Sequence, residues 1–387
     1  MRILHTSDWH LGRSFHRVGL LEHQARVLDD LVAVVRAESV DAVVVAGDVY
    51  DRALPAVDAV TVLDDALARL LDAGTQVLLT SGNHDSAHRL GFGARATARA
   101  GLHLRTRVGD LATPVVLPDA HGDVALYGLP YLEPALAAEP LGAARSHAGV
   151  LGAAMGRVRA DLATRAPGTR AVVAAHAFVT GAQASESERD ISVGGVEQVP
   201  VSTFDGAHYV ALGHLHGRQR LAEHVRYSGS PLAYSFSEAQ HVKGHWLVEL
   251  GAGGVERVDA VPAPVPRPLA RLRGSLEQLL AEPSHAGAEA AWCQVVLTDA
   301  VRPREPMEAL RRRFPHVLSL GFEPEGADGR VAQGYAERVR GLDDLELCCS
   351  FVDHVRGAAP TAAERELLRA GLEAGRTHEA LAEGATR

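Results

Sequence analysis

Polar side chains suited to binding metal ions follow five short apolar runs of the chain. They are Asp8 and His10 after the first run, Asp48 after the second, Asn83, His84 and Asp85 after the third, His176 at the end of the fourth, and His214 and His216 after the fifth. Carboxylate, imidazole and amide groups suit manganese, iron, zinc or magnesium, and no thiolate is among them. The pattern therefore predicts a site for divalent metal ions.

A pair of such ions would suit phosphoryl displacement. Two cations roughly 3.5–4 Å apart can stabilise both the attacking and the leaving oxygen, and can deprotonate a shared water near neutral pH. One carboxylate must bridge them, and we predict that Asp48 does so, because the turn formed by Gly47 and Asp48 brings this side chain to the centre. His84 directly follows Asn83, so we predict an acid or transition-state-stabilising role for it, with Asp85 as a candidate to orient it.

A single histidine in this chain carries little information. There are 20 histidines, and any one of them is more often a surface or core residue than a ligand. The histidines left unassigned for this reason are His5, His16, His23, His88, His103 and His121. Five polar sets, all at strand ends and in one order, are far less frequent by chance, and the prediction depends on that joint pattern.

The elements that must position these residues alternate between apolar strands and amphipathic helices. Strands are predicted at residues 3–6, 42–46, 77–80, 124–127, 171–174 and 209–212, and helices at about 20–37, 57–71 and 143–164. The continuous β-branched run at 42–46 is typical of a strand buried on both faces. Such alternation predicts an α/β domain with a stacked, multi-stranded core. Ligand sites of open α/β sheets form beyond the carboxyl ends of the strands, where all five sets lie.

A proline-rich segment at residues 261–268 predicts a stiff linker and a domain boundary. Beyond it, helices at 275–280 and 306–314 and strands at 293–297 and 317–320 predict a small α/β module. The tail from about Glu346 is helix-rich, with an amphipathic segment near 363–374 and an end, 377–387, that we expect to be frayed. The predicted domains are therefore 1–262, 269–340 and 341–387.

The overall composition is that of a soluble globular protein. Of 387 residues, 47% are apolar and 22% charged, and no apolar run approaches the roughly 20 residues that cross a bilayer. Cys293, Cys348 and Cys349 form neither a disulfide framework nor a zinc-type pair, and the sequence opens without a signal-peptide pattern, so we expect a cytoplasmic location. The net charge of −9 argues against tight, unaided binding of nucleic acid, although bound cations and a partner would offset it.

The five polar sets together resemble the motifs of the calcineurin-like metallophosphoesterase superfamily. Segments around them resemble, more narrowly, the family of bacterial SbcD nuclease subunits, which act in SbcC–SbcD DNA-repair complexes. These segments are residues 5–12 (HTSDWHLG), 185–189 (SESER), 193–195 (VGG), 209–216 (YVALGHLH) and 227–231 (YSGSP). The resemblance is specific from residue 1 to about 245, weaker through the small module and faint in the tail.

This resemblance implies a metallophosphoesterase sandwich with a small α/β capping domain and a helical C-terminal tail. It implies two metal ions, with Mn²⁺ as the working metal, and 3′→5′ exonuclease and single-strand or hairpin endonuclease activity in DNA repair and recombination. The first ion would be held by Asp8, His10, Asp48 and His216, and the second by Asp48, Asn83, His176 and His214, with His84 as the catalytic histidine. Asp51 stands where archaeal and eukaryotic relatives have a second catalytic histidine.

The resemblance also implies partners: DNA, an ATPase subunit of the SbcC type, and a second copy of the chain within a heterotetramer. The capping domain would contact DNA through Arg302, Arg304, Arg311, Arg312 and Arg313, although a solvated helix face explains this charge run equally well. The tail would bind the ATPase or pack on its own domain. Two other functions stay open: a small-molecule phosphodiesterase or phosphatase with the same metal core, and a scaffold without activity.

Overall fold

The structure is a computed structural model that describes residues 1–188, 198–325 and 342–384, with the backbone alone for residues 373 and 375–384. The chain divides into two compact units, Met1–Pro266 and Arg267–Arg387. Arg189 and the Val-Gly-Gly segment at 193–195 lie outside the described residues, as does the predicted boundary at 340–341.

The first unit is built on two six-stranded sheets. Its strands are β1 (Arg2–Thr6), β2 (Ser14–Phe15), β3 (Val18–Gly19), β4 (Ala42–Ala46), β5 (Gln76–Thr80), β6 (Leu102–Arg105), β7 (Val115–Asp119), β8 (Gly122–Leu129), β9 (Arg170–His176), β10 (Tyr209–Gly213), β11 (Gln219–Arg220), β12 (Val225–Tyr227), β13 (Gly244–Gly251) and β14 (Gly254–Pro262). One sheet has the order β14-β13-β1-β4-β5-β6 and the other β11-β12-β10-β9-β8-β7, while β2 and β3 form a separate hairpin. Within the two sheets, β1, β4, β5 and β6 run parallel, as do β8, β9, β10 and β12.

Helices cover the outer face of each sheet. They are α1 (Leu21–Ala37), α2 (Val57–Asp72), α3 (Ala87–Leu90), α4 (Ala94–Thr97), α5 (Pro134–Leu141) and α6 (His147–Leu162). The apolar faces of α1 and α2 form one core with the first sheet, and those of α5 and α6 form another with the second sheet. Apolar residues spaced at three and four positions along each helix are what direct one face inward.

The strand β4 shows how the layers are held together. Ala42 and Val44 belong to the core between the two sheets, whereas Val43 and Val45 face the helices. Successive side chains of a strand point to opposite faces, so a continuous valine run fills two cores at once. Each fully buried valine stabilises the fold by about 1.5–3 kcal/mol. The result is a two-sheet sandwich with helices outside, which confirms the expected fold class.

Two predicted segments differ from the structure. The helix predicted at 143–164 is shorter in the structure, because α6 starts at His147, after Ser146, whose hydroxyl accepts from the amide of Gly149. The separate helix α5, which was not predicted, ends at Leu141, and the following Gly142 has a φ of 65°. The linker predicted from Val261 begins inside β14, since Val261 and Pro262 pair with β13. The adjacent charged residues Glu256 and Arg257 break the apolar alternation of β14, which concealed this hairpin.

The second unit begins with a small three-stranded sheet. Its elements are β15 (Leu269–Gly274), α7 (Leu276–Ala281), β16 (Trp292–Leu297), α8 (Pro306–Arg313), β17 (Val317–Phe322), α9 (Asp344–Arg356) and α10 (Ala362–Gly384). The strands are parallel in the order β15-β16-β17, with a core that includes Leu279 of α7, Val295 of β16 and Phe314 after α8. The backbone of α10 is helical up to Gly384, so the helix extends into the segment 377–387 for which fraying is expected.

A buried ion pair at the start of β9 ties distant strands of the first unit. The Arg170 guanidinium is buried and donates to both carboxylate oxygens of Asp119, at 2.6 and 2.9 Å, and to the carbonyl oxygens of Gly122 and Gly251. The hydrogen bond from Arg170 lowers the pKa of Asp119.

We predict that Arg170→Met lowers the free energy of unfolding by about 3 kcal/mol, because it removes the main partner of the partly buried Asp119 carboxylate and of two backbone carbonyls. Urea denaturation at pH 7 measures the loss. Asp119 has a lowered pKa in the folded state, so this stabilisation is present at neutral pH and declines as the pH falls below about 4. The exposed pair of Arg69 and Asp29 gives the control, since Arg69→Met should cost less than about 1 kcal/mol. Equal losses in the two variants would contradict the prediction.

Candidate metal centre

The side chains predicted to bind metal lie together where β1, β4, β5, β9 and β10 end. The backbone amide of Asp8 donates to the Gly47 carbonyl at 3.0 Å, and that of His10 donates to the Asp48 carbonyl at 3.0 Å. The amide of His214 donates to the Asp8 carboxylate at 3.0 Å. These bonds join the loops after β1, β4 and β10, so the polar ends of both sheets meet at one edge.

Glycines precede the functional residues because the loops approach one another too closely for a side chain. A Cβ on Gly82 would lie 2.1 Å from Oδ1 of Asp48, and one on Gly213 would lie 1.8 Å from the carbonyl oxygen of Ala46. Both distances are far below van der Waals contact. Only glycine allows β5 and β10 to end this close to the loop that carries Asp48.

The backbone is strained at four of the predicted ligands. Asp8, His10, Asp48 and His214 have φ angles of 54°, 45°, 49° and 104°. A non-glycine residue in this region costs about 1–3 kcal/mol, and such residues concentrate at functional sites. The positive φ angles turn these side chains toward the shared space between the strand ends.

Two neighbouring groups of donor atoms result. Asp8, His10 and His216 each offer an atom within 4.8 Å of the others, and the Nε2 atoms of the two imidazoles are 3.1 Å apart. Oδ2 of Asp48 lies 3.5 Å from Nε2 of His10 and 3.5 Å from Nε2 of His176, and so stands between the groups. This is the central position that the sequence predicts for Asp48.

The second group contains Asn83, whose Oδ1 is 2.9 Å from Nε2 of His176. Asp8, Asp48 and His176 also form a compact set of donors. A third compact set, His10, Asp48 and His84, overlaps both groups, and none of the three sets includes His214, whose ring centroid is 5.3 Å from that of His176. Six of the seven predicted ligands therefore offer donor atoms to the two groups, and the ring of the seventh, His214, lies beside them.

His84 lies at the mouth of the cluster. Its Nδ1 donates to the Asp51 carbonyl at 2.8 Å, because a carbonyl oxygen can only accept. Its Nε2 is then directed inward, 4.0 Å from Oδ2 of Asp48, and its ring is 4.7 Å from that of His10. Oδ1 of Asp51 itself lies 3.7 Å from Nδ1 of His10.

Asp85 does not have its predicted role of orienting His84. Its carboxylate accepts hydrogen bonds from the backbone amides of Val49, Tyr50 and Gly82, at 2.9–3.1 Å. It therefore holds the loop after β4 against the loop after β5. The ring of His84 is oriented by the carbonyl of Asp51 instead.

The electrostatics of the cluster favour positive charge. Burial alone would raise the pKa of Asp48, but the neighbouring imidazoles, His176 first, hold it well below its ordinary value. The same carboxylate overcomes burial and raises the pKa of His176 to about 9. Burial lowers the pKa of His214 to about 3 and lowers that of His10 well below the ordinary value. The ionised Asp48 and the neutral imidazoles of His10 and His214 suit a divalent cation, which would take the place of the proton on His176.

The residues present fit two divalent cations. The donors are carboxylates, imidazoles and an amide oxygen, which are hard to borderline ligands. Two Nε2 atoms facing each other at 3.1 Å need a cation or a proton between them, since two lone pairs repel. In the described part of the chain, Nδ1 of His10 and Nδ2 of Asn83 are buried without a hydrogen-bond partner, so the cluster is not saturated by internal bonds.

Several residues that support the site were not predicted from the sequence. Gln24 of α1 is buried, donates to the carbonyls of Trp9 and His10 at 3.0 and 2.7 Å, and accepts from the amide of Gly12. Ser187 contacts Nδ1 of His216. The sequence did not mark Gln24 as a site residue, because a polar residue of an amphipathic helix is ordinarily exposed. Ser187 could have been found, because it lies in the SESER segment that carries the family resemblance.

The arginines of the second unit are not equivalent. Arg313 donates to the carbonyl of Leu279 at 3.0 Å and pairs with Glu289, so it has a structural role in its own unit. Arg312 is exposed and pairs with Glu308 one helical turn away. Arg311 is exposed on the same helix. Of the arginines on this helix, Arg311 and Arg312 are therefore accessible to a ligand, and Arg302 and Arg304, which precede the helix, are exposed as well.

Comparison with known proteins identifies the family. Residues 1–218 match the model of the calcineurin-like phosphoesterases. The chain belongs to the calcineurin-like phosphoesterase family. Residues 265–356 match a second model, SbcD_C, described as the Type 5 capsule protein repressor C-terminal domain. The expected superfamily is confirmed, and the two models together support an SbcD-type nuclease subunit.

Two solved structures are similar to the chain. A protein of Thermus thermophilus has 14% identity and a TM-score of 0.39, covering 67% of this chain and 98% of its own. A dimetal phosphatase from Danio rerio has 14% identity and a TM-score of 0.37, covering 68% of this chain and 99% of its own.

Family membership and the cluster of donors make this protein a metal-dependent phosphoesterase with a site for two divalent ions. Two divalent cations held by these donors would supply Lewis acidity and lower the pKa of a bound water. Among the described residues, no helix is both long enough and apolar enough to span a membrane.

We predict that Gly82→Ala weakens the binding of divalent cations at least tenfold, because the new methyl group displaces the Asp48 carboxylate. Isothermal titration of the metal-free protein with MnCl₂ measures the change. Gly152→Ala is the matched control, since a Cβ at Gly152 in α6 meets nothing within 4 Å. Equal Mn²⁺ affinities in the two variants would show that the close approach at Gly82 does not matter.

Proposed function

We propose that this protein is a Mn²⁺-dependent DNA nuclease subunit. In this proposal it acts as a 3′→5′ exonuclease on duplex DNA and as an endonuclease on single-stranded or hairpin DNA. It works with an SbcC-type ATPase in DNA repair and recombination, in the cytoplasm. The observation that carries the proposal is the convergence of two donor groups on Asp48, in a chain whose C-terminal part also matches the SbcD_C model.

The proposed ligand sets follow the two donor groups. Asp8, His10, Asp48 and His216 would hold one ion, and Asp48, Asn83, His176 and His214 the other. The central position of Oδ2 of Asp48 supports its role as the shared ligand. His214 is the least direct member, since its ring stands beside His176 and its backbone amide holds Asp8.

His84 is the residue proposed to act on the phosphate. With Nδ1 fixed on the Asp51 carbonyl, a proton on Nε2 points into the site and can be donated to a phosphate oxygen or to the leaving oxygen. Asp48, 4.0 Å away, stabilises the protonated imidazole. The backbone amide of His84 donates to Oδ1 of Asp48 at 2.9 Å, which holds this geometry. Bound divalent cations would lower the pKa of water and neutralise the phosphate.

The net charge of −9 is consistent with a subunit that relies on other sources of DNA affinity. Lys and Arg contacts with phosphates supply most non-specific affinity for DNA. In this proposal, the two cations, the ATPase partner and exposed arginines such as Arg311 and Arg312 supply that positive charge. A small-molecule phosphodiesterase with the same metal core would need neither the ATPase partner nor the exposed arginines.

We predict that Asp48→Ala abolishes Mn²⁺-dependent cleavage of a DNA hairpin, and that His84→Ala lowers kcat by about 10²–10⁴-fold while both ions stay bound. The first variant loses the shared ligand, and the second loses only the proton donor. Gel assays of hairpin and linear duplex DNA, with and without the ATPase, measure turnover. Metal analysis of each purified variant measures the ions per chain.

The control for substrate class is a cyclic nucleotide at the same enzyme concentration. Faster turnover of the cyclic nucleotide than of DNA would identify a small-molecule phosphodiesterase and refute the nuclease proposal. A wild-type chain that binds two ions and cleaves neither substrate would instead indicate a scaffold. Full activity of Asp48→Ala would refute the shared-ligand assignment.

An apolar groove beside α2 supports a homodimer. The groove has a volume of about 470 Å³ and is lined mainly by apolar side chains, among them Leu63, Leu90 and Leu104. At its rim, Leu54 is 71% exposed and Phe92 is 86% exposed. Large exposed apolar residues clustered around one groove are typical of an interface between proteins. In this proposal, a second copy of the chain covers the groove.

We predict that Phe92→Glu converts a dimer in solution into a monomer, because a charge replaces an apolar contact in the interface. Size-exclusion chromatography with light scattering measures the mass. Leu136→Glu is the matched control, since Leu136 is 77% exposed on α5, outside the groove, and should leave the dimer intact. A wild-type chain that is monomeric at tens of micromolar would refute the dimer.

The tail offers a surface for the ATPase partner. Leu347, Phe351 and Val355 of α9 are all exposed and recur every four residues, which places them on one face of the helix. Leu367 of α10 is 73% exposed. Exposed apolar residues at this spacing favour binding to another helix over packing on the chain's own domain.

A further inference from the structure

Ser187 connects the metal centre to a buried ion pair that the proposed reaction does not use. Its hydroxyl oxygen is 2.5 Å from Nδ1 of His216 and donates to Oε1 of Glu238, also at 2.5 Å. Glu238 is buried and forms an ion pair with Lys243, which is buried as well. Ser187 itself lies in the SESER segment, whose chemical role the sequence leaves open.

This arrangement fixes the positions of the protons. Because Glu238 is held as a carboxylate by the ion pair with Lys243, it can only accept hydrogen bonds. Ser187 has a single hydroxyl hydrogen and gives it to Glu238, so its oxygen must accept from His216. Nδ1 of His216 then carries the hydrogen, and Nε2 keeps its lone pair. That Nε2 is the atom that faces His10 at 3.1 Å.

The backbone of His216 is held by the same network. Its amide donates to Oε1 of Glu188 at 2.7 Å, and its carbonyl accepts from Nζ of Lys243 at 2.8 Å. The carbonyl of Ser187 accepts from Arg13 at 2.9 Å. Ring, amide and carbonyl of His216 are therefore all bound by this loop and by Lys243.

We propose that Ser187 and Glu238 are positioning residues that fix the Nδ1–H tautomer of His216 and so present Nε2 as a metal ligand. The inference rests on the proposed function, in which His216 is a ligand. Outer hydrogen bonds of this kind set the tautomer and the basicity of ligand histidines. This proposal gives the SESER segment a role, because Ser187 and Glu188 of the segment both bind His216, the last predicted ligand in the chain.

Two measurements on the full-length chain test this proposal. ¹⁵N NMR of the metal-free protein, with the His216 signal assigned by its loss in His216→Gln, shows which ring nitrogen carries the hydrogen. Isothermal titration with MnCl₂ gives the affinity of each ion. In Ser187→Ala we expect the Nε2–H tautomer to gain population and the affinity for one ion to fall by about 10–100-fold. The affinity for the other ion should stay unchanged.

Two further variants separate orientation from simple loop anchoring. Ser187→Thr keeps the hydroxyl and should restore most of the Mn²⁺ affinity. Ser237→Ala is the matched control, because the Ser237 hydroxyl accepts from the amide of Glu186 and holds the same loop without reaching His216. It should bind both ions as the wild type does.

Hydrogen on Nε2 in the wild type, unchanged Mn²⁺ affinities in Ser187→Ala, or an equal loss in Ser237→Ala would each overturn the inference. Failure of the proposed function gives a different result. In that case the wild-type chain binds fewer than two Mn²⁺ ions or cleaves no DNA, while the tautomer of metal-free His216 is still found on Nδ1.

Discussion

The Asp48 carboxylate, buried between imidazoles where the two sheets meet, is the feature on which the rest of the site depends. An isolated buried carboxylate is strongly unfavourable unless it is paired or hydrogen-bonded. Here His10 and His176 lie 3.5 Å away on either side, and the amide of His84 donates to the second oxygen at 2.9 Å. The fold thus concentrates donors around one negative charge, and a divalent cation is the natural counterion for them.

Placing this carboxylate explains the irregular backbone around it. Asp48 and three other predicted ligands adopt positive φ, and Gly82 cannot carry a side chain without striking Asp48. Strain of about 1–3 kcal/mol at each residue has to be offset elsewhere. The valines of β4, which fill a core on each side, and the backbone bonds accepted by Asp85 hold the strained loops in place.

The sequence predicts what depends on periodicity and on position after a strand. The strand at residues 42–46 and the meeting of Asp8, Asn83 and His176 follow from such patterns, because parallel strands end at one edge. It does not predict features set by tertiary contacts. Gln24 of α1 donates to the His10 carbonyl, although a polar residue of an amphipathic helix is ordinarily exposed. Asp85 accepts hydrogen bonds from backbone amides, whereas the sequence predicts that it orients His84. The β13–β14 hairpin was missed because the adjacent charged residues Glu256 and Arg257 break the apolar alternation of β14 at its bulge.

The negative charge of the metal-free centre and of the whole chain makes the proposed binding of a phosphate backbone depend on bound cations. The metal-free centre is built to attract cations, and the chain as a whole is negative, so both repel a polyanion. Bound divalent cations are the largest local charges of such a site and reverse its field. In the proposed nuclease, metal occupancy therefore precedes productive contact with phosphate. If His216 is a ligand, as proposed, the side chains that hold its Nε2 ready for a cation also affect substrate binding, although they lie behind the ligand and do not contact the phosphate.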